Sequence, residues 1–215
     1  MADLDAKVNE HFPGKVVRIA SPPVLGSFRF RKAYWYLLVL TILWYAVILA
    51  FRSTFAIKYF QHSHGLDLAT AGAMNSYVFL AALFASPMFG WICGRSGRYA
   101  PFLTFGALLL PLSLALMAWT QASLWIGTVL IGISYSLVPA VLWPFCRALV
   151  PANRFGLAMG LIATTQNAGI AGANLIAGTL NDHFAAGAQN PAGYQPMMLF
   201  FCLTSLAGAV FAALL

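Results

Sequence analysis

Six apolar stretches, each about as long as a bilayer is thick, constrain this chain more than any other feature. They cover residues 33–51, 69–93, 100–119, 124–146, 155–180 and 196–215. A helix rising about 1.5 Å per residue needs about 20 residues to cross about 30 Å of hydrocarbon. Lipid gives unpaired backbone groups no partner, so only helices or a closed barrel can span it. The alternating pattern of barrel strands is missing. The expected fold is therefore an all-α membrane protein with six transmembrane helices. Composition agrees: 61% of the 215 residues are hydrophobic and 8% charged, more apolar surface than one soluble domain of this length can hide.

A net charge of +7 raises the question of nucleic acid, and the placement of the charges answers it. Lys7, Lys15, Arg18, Arg29, Arg31 and Lys32 precede the first span. Arg95 and Arg98 lie between the second and third spans, and Arg147 and Arg154 between the fourth and fifth. Only Arg52 and Lys58 fall on the other side. Ten of the twelve basic residues thus share one side, which is the positive-inside pattern. Both termini are expected in the cytoplasm, and the basic excess is topological, with no nucleic-acid partner. Residues 1–30 are expected to form a polar cytoplasmic segment or linker, and residues 31–215 the six-helix domain. The lipid bilayer is the first partner implied.

No catalytic residues are assigned. The sequence holds no HExxH, no GxSxG, no Walker sequence and no intramembrane pair of acids. Past residue 30 the acids are Asp67 and Asp182, both expected in external loops. Cys93, Cys146 and Cys202 lack metal spacing, and His62, His64 and Asp67 supply too few ligands for a metal centre. No cofactor or metal is expected.

Polar groups at membrane depth are the functional candidates. Asn75 lies in the outer half of the second span, Tyr135 in the middle of the fourth, and Gln166 and Asn167 in the middle of the fifth. Arg52 is read at the outer end of the first span. It either snorkels to the headgroups or faces a cavity and attracts an anionic group such as a substrate carboxylate. These five residues are the expected substrate pathway. Gly156, Gly160, Thr164, Ala168 and Gly172 recur every four residues along the fifth span, a stripe suited to close helix contact. Pro111, Pro139 and Pro144 remove backbone hydrogen bonds within their spans and are expected to bend them.

Two motifs carry a family resemblance. GWICGRSGR (residues 90–98) resembles the G-x-x-x-D-R-x-G-R-R loop signature of the major facilitator superfamily, with Gly90, Arg95, Gly97 and Arg98 in matching positions. The family's Asp is Gly94 here and its last Arg is Tyr99, so Arg95 and Arg98 are expected mainly as topology anchors. VPANRFGLAMG (residues 150–160) is similar to the P-x-x-R-x-G-x-A-x-G that opens a later helix of many facilitator halves. FRSTFA, NSYVFLAALFASPMFG, SYSLVPAVLWP and TTQNAGIAGANLIAGTLND resemble the C-terminal half of one branch, which includes a lysosomal dipeptide transporter and bacterial relatives.

The resemblance covers residues 30–215 and implies one six-helix half of a transporter. Two such halves face each other about an axis along the membrane normal, with substrate between them. It implies transport of a small, dipeptide-like solute in a bacterial inner (plasma) membrane. The partner is a second six-helix half, either a missing N-terminal half or a parallel copy of this chain. The linker-like start and the stop within the last span favour the missing half as an expectation. The competing reading is a membrane scaffold or accessory subunit that transports nothing.

Overall fold

The computed structural model describes residues 30–120 and 123–215. All of the expected segment 1–30 except Phe30 lies outside the described residues, as do Lys7, Lys15, Arg18 and Arg29. The described chain is helical: α1 (Lys32–Ala50), α2 (Ala56–His64), α3 (Leu68–Ser96), α4 (Tyr99–Trp119), α5 (Leu124–Leu149), α6 (Phe155–His183) and α7 (Gln195–Ala213). A π turn, Phe51–Phe55, joins α1 to α2 without a break, so these two form one run, Lys32–His64. Short 3₁₀ turns, Ala152–Arg154 and Pro191–Tyr194, precede α6 and α7.

Five runs are long and apolar enough to cross a membrane: Lys32–His64, Leu68–Ser96, Tyr99–Trp119, Leu124–Leu149 and Pro191–Ala213. α6 has the length, 29 residues, but Thr164, Thr165, Gln166, Asn167 and Asn174 dilute its apolar character. The prolines expected within spans are all inside helices, and Pro87 in α3 joins them.

The largest departure from the sequence reading is the first span. It does not end near residue 51 but continues to His64, so Arg52 is in its middle third and does not sit at the outer end. The charge of Arg52 and the mixed composition of α2 hide this continuation. Yet Ala56, Tyr59 and Phe60 are all buried, at the spacing of one helical face. Lys58, His62 and His64, expected in an external loop, are helical.

Helix ends follow ordinary stereochemistry. Gly65 and Gly97 end α2 and α3 with φ of 68° and 65°, a left-handed conformation that costs glycine no Cβ clash. Asp67 starts α3 by accepting the Thr70 backbone N–H at 3.1 Å. The loop before α7 is tighter than expected, because α6 runs on to His183. A Cβ on Gly193 there would meet the Phe184 carbonyl oxygen at 2.6 Å.

Packing partners run α3–α5–α4–α7–α1–α6, with α1 also touching α5. The flanking helices α3 and α6 therefore pack on one main neighbour each and stay largely uncovered. α3 exposes Phe79, Leu83, Phe84, Met88 and Trp91. The small-residue stripe of α6 behaves differently from expectation within the chain. Among the described residues, nothing beyond the local helix backbone lies within 4 Å of a Cβ built on Gly156, Gly160 or Gly172, and Thr164 and Ala168 are exposed. The close approach is made instead by Gly169, where a Cβ would stand 2.8 Å from Ile42 Cγ2.

Candidate functional site

The site grows from the π turn. An α-helix that widens to i→i+5 bonding gains a residue in that turn and re-aims the side chains around it. Arg52 occupies this turn and is 4% exposed. Its Nε donates to Asn75 Oδ1 at 3.3 Å and its Nη2 donates to the Asn75 carbonyl. Asn75 answers from its Nδ2 to the Arg52 carbonyl at 3.0 Å, capturing a backbone acceptor in the irregular turn.

Two rings complete the surround. The guanidinium carbon lies 3.9 Å from the Phe79 ring centroid and 5.4 Å from that of Tyr135. Asn75 and Phe79 are four residues apart on α3, hence on one face. An Arg at the centre of a span costs about 2.5–3.5 kcal/mol to insert. Two cation–π contacts at about 0.5–2 kcal/mol each, with the hydrogen bonds to Asn75, are of the size needed to offset that. One group is left over: Arg52 Nη1 is buried and has no hydrogen-bond partner among the described residues. A cavity of about 10 Å³, roughly one water in size, is lined by Arg52, Met74, Asn75, Val78, Thr128 and Ile131 among others.

A second layer holds Tyr135 in place. Trp44 stacks on it with ring centroids 6.4 Å apart and 20° between planes. Trp44 Nε1 donates to Ser134 Oγ at 3.2 Å, and Ser134 Oγ donates to the Gly106 carbonyl at 2.7 Å. This chain of bonds ties α1, α5 and α4 at one level. Ser134 can reach that carbonyl because the helices nearly touch: a Cβ on Gly106 would meet Val138 Cγ2 at 3.0 Å.

Three of the five pathway residues read from sequence, Arg52, Asn75 and Tyr135, are thus brought together. Gln166 and Asn167 are not joined to them by any hydrogen bond or ring contact. Gln166 is half-buried; Asn167 is exposed and donates to the Ala163 carbonyl of its own helix at 2.8 Å. Among the described residues neither makes a hydrogen bond from α6 to another helix. Phe79 and Trp44 were missed, since aromatics carry no mark in a span; the i+4 offset of Phe79 from Asn75 was the available signal.

The loop signature lies at the opposite end of α3 from Asp67. Gly97 supplies the left-handed cap, its N–H bonding to the Cys93 carbonyl at 3.0 Å, and Gly90 is unopposed. Arg95 and Arg98 are exposed, the former lying 5.2 Å over the Trp91 ring. At the other end of the bundle a cavity of about 470 Å³ is bordered by Tyr59, Ser63, His64, Trp119 and Gln195. Nearby, His62 Nδ1 and the Tyr194 hydroxyl share a hydrogen bond at 2.8 Å. Among the described residues no group of three or more His, Cys, Asp or Glu is placed to hold a metal ion.

Comparison with known proteins matches residues 37–215 to the family model described as Major Facilitator Superfamily. The chain is 29% identical over 153 residues to the lysosomal dipeptide transporter MFSD1 of Danio rerio, covering 71% of this chain and 33% of that protein. It is 30% identical over 156 residues to MFSD1 of Gallus gallus, covering 71% and 34%, and 28% identical over 153 residues to human MFSD1, covering 71% and 33%. The chain spans about a third of the length of these curated relatives.

Proposed function

The chain belongs to the Major Facilitator Superfamily, as an integral multi-pass membrane protein, and on that footing we propose that it forms one six-helix wall of a small-solute transporter. Alternating access by two facing walls is the working principle of such a fold. The observation that carries this reading is the charged Arg52 in the middle third of a span, held by Asn75 and two rings with one donor unspent. Intramembrane ionisable groups are costly, and they mark substrate or ion pathways. The relatives are named dipeptide transporters, which supports a dipeptide-like solute here.

The opposing wall comes from a second six-helix half, either another part of the same protein or a parallel copy. The uncovered faces of α3 and α6 support this. Gln166 and Asn167, on the open α6, complete the pathway from the side. Arg95, Arg98, Arg147 and Arg154 cluster at one end of the bundle, and the positive-inside rule assigns that end, with both termini, to the cytoplasm.

Uptake of labelled alanyl-alanine by proteoliposomes tests the reading, using the product of the whole reading frame that contains the chain. Saturable uptake above protein-free vesicles supports a transporter. Correct insertion with no uptake of this or related small polar solutes favours the scaffold.

A further inference from the structure

We propose that Arg52 Nη1 is an occluded subsite for a carboxylate of the transported solute, and that Phe79, with Tyr135 behind it, is the cover that opens to admit it. This rests on the transport reading above. A guanidinium presents five N–H donors in one plane. Asn75 takes the Nε and Nη2 edge, and the Nη1 corner is buried without a partner among the described residues.

Among the described residues the charge is also without a counter-ion. The acids among the described residues, Asp67 and Asp182, are exposed and lie outside the middle of the spans. A carboxylate oxygen fits both deficits, accepting from Nη1 and cancelling the charge with a short, charge-assisted bond. A cavity of about 10 Å³ that Arg52 and Asn75 help to line has room for one oxygen-sized group. An amide or ester at the same position supplies an acceptor but no charge.

The rings do not compete for that position. The guanidinium carbon lies over the face of each ring, and a ring face offers Nη1 no oxygen acceptor, whereas a carboxylate does. The role of the rings is to exclude water and other anions. The surrounding side chains differ in freedom. Asn75 is tied to Arg52 in both directions. Tyr135 is half-buried and stacked on Trp44. Phe79, directly over the guanidinium, is 54% exposed. It is the side chain with an outward route, and exposed rotamers exchange rapidly.

The test uses the whole reading-frame product in detergent, with alanyl-alanine and its C-terminal amide as probes, and tryptophan fluorescence in stopped flow as the readout. Wild type should bind the free acid at least about tenfold more tightly than the amide. Arg52→Gln should abolish that preference, and Arg52→Lys should keep part of it. Phe79→Ala should keep the preference while speeding association about tenfold, since a gated on-rate rises when the gate is removed. Equal affinity of acid and amide in wild type, or a preference that survives Arg52→Gln, overturns the subsite. An unchanged association rate in Phe79→Ala overturns the cover. Equal transport of acid and amide defeats this inference alone, whereas absence of both binding and transport defeats the transport reading and this inference with it.

Discussion

Arg52 and Asn75 hold each other from both ends: two donors of the guanidinium side reach Asn75, and the Asn75 amide returns a bond to the Arg52 carbonyl at 3.0 Å. The clamp joins the π turn of the first span to α3 and leaves a cation in the middle of a span with one donor unspent. A buried polar group that is only partly satisfied marks either a fault or a place where something binds. Here the surrounding rings, the cavity that Arg52 helps to line and the family all favour binding.

Asn75→Ala removes the acceptor for Nε and a donor to the Arg52 carbonyl. Leaving buried groups of a charged side chain unpaired costs about 1–3 kcal/mol, so thermal unfolding in detergent should shift down. Asn75→Asp should do the opposite, raising stability by supplying a counter-ion, while reducing solute binding because the cation is already neutralised.

Ser134→Ala breaks the relay from Trp44 to the Gly106 carbonyl. Interhelical hydrogen bonds in membranes are worth about 0.6–1.7 kcal/mol each, so a loss of that order is expected. The Trp44 indole should lose its fixed stacking on Tyr135, read as a changed fluorescence spectrum of the folded protein.

Small residues on α6 should divide into two classes. Gly169→Leu collides with Ile42 and should weaken the fold of the chain, by about 1–3 kcal/mol for overpacking. Beyond the local helix backbone, a Cβ on Gly160 meets no atom of the described residues within 4 Å. Gly160→Leu should leave thermal stability unchanged and lower transport by disturbing the contact with the opposing wall. Equal stability losses from both would place the stripe inside this half.

Acid should fray the start of α3. The Thr70 hydroxyl, then its backbone N–H, hold the Asp67 carboxyl below its ordinary value of 3.8. A depressed folded-state value means the cap contributes fully above the unfolded value and is lost as pH falls through the folded one. Amide exchange at residues 68–71 should therefore accelerate below about pH 4, and Asp67→Asn should flatten the response.

The second to sixth spans were readable because their apolar runs end at turn residues: Gly97 closes α3 and Pro196 opens α7 close to where the apolar runs end. The first span was not, since Arg52 interrupts its hydropathy and α2 is amphipathic. That reading put Arg52 at the outer end of the span, whereas the helix runs on past it to His64. Arg52 and Asn75 were each visible as isolated polar residues, but their pairing depends on two helices meeting at one level, which no spacing encodes. Phe79 was invisible for the same reason. Gln166 and Asn167 stand out in sequence, yet among the described residues no hydrogen bond or ring contact joins them to the cluster; Asn167 is exposed and Gln166 half-buried.

The most direct measurement is uptake of labelled alanyl-alanine by proteoliposomes containing wild type or Arg52→Gln, with matched amounts of correctly inserted protein. Saturable wild-type uptake that falls at least about tenfold in Arg52→Gln, with unfolding temperature maintained, is the expected result. Equal uptake by the two proteins would contradict the placement of Arg52 on the solute pathway.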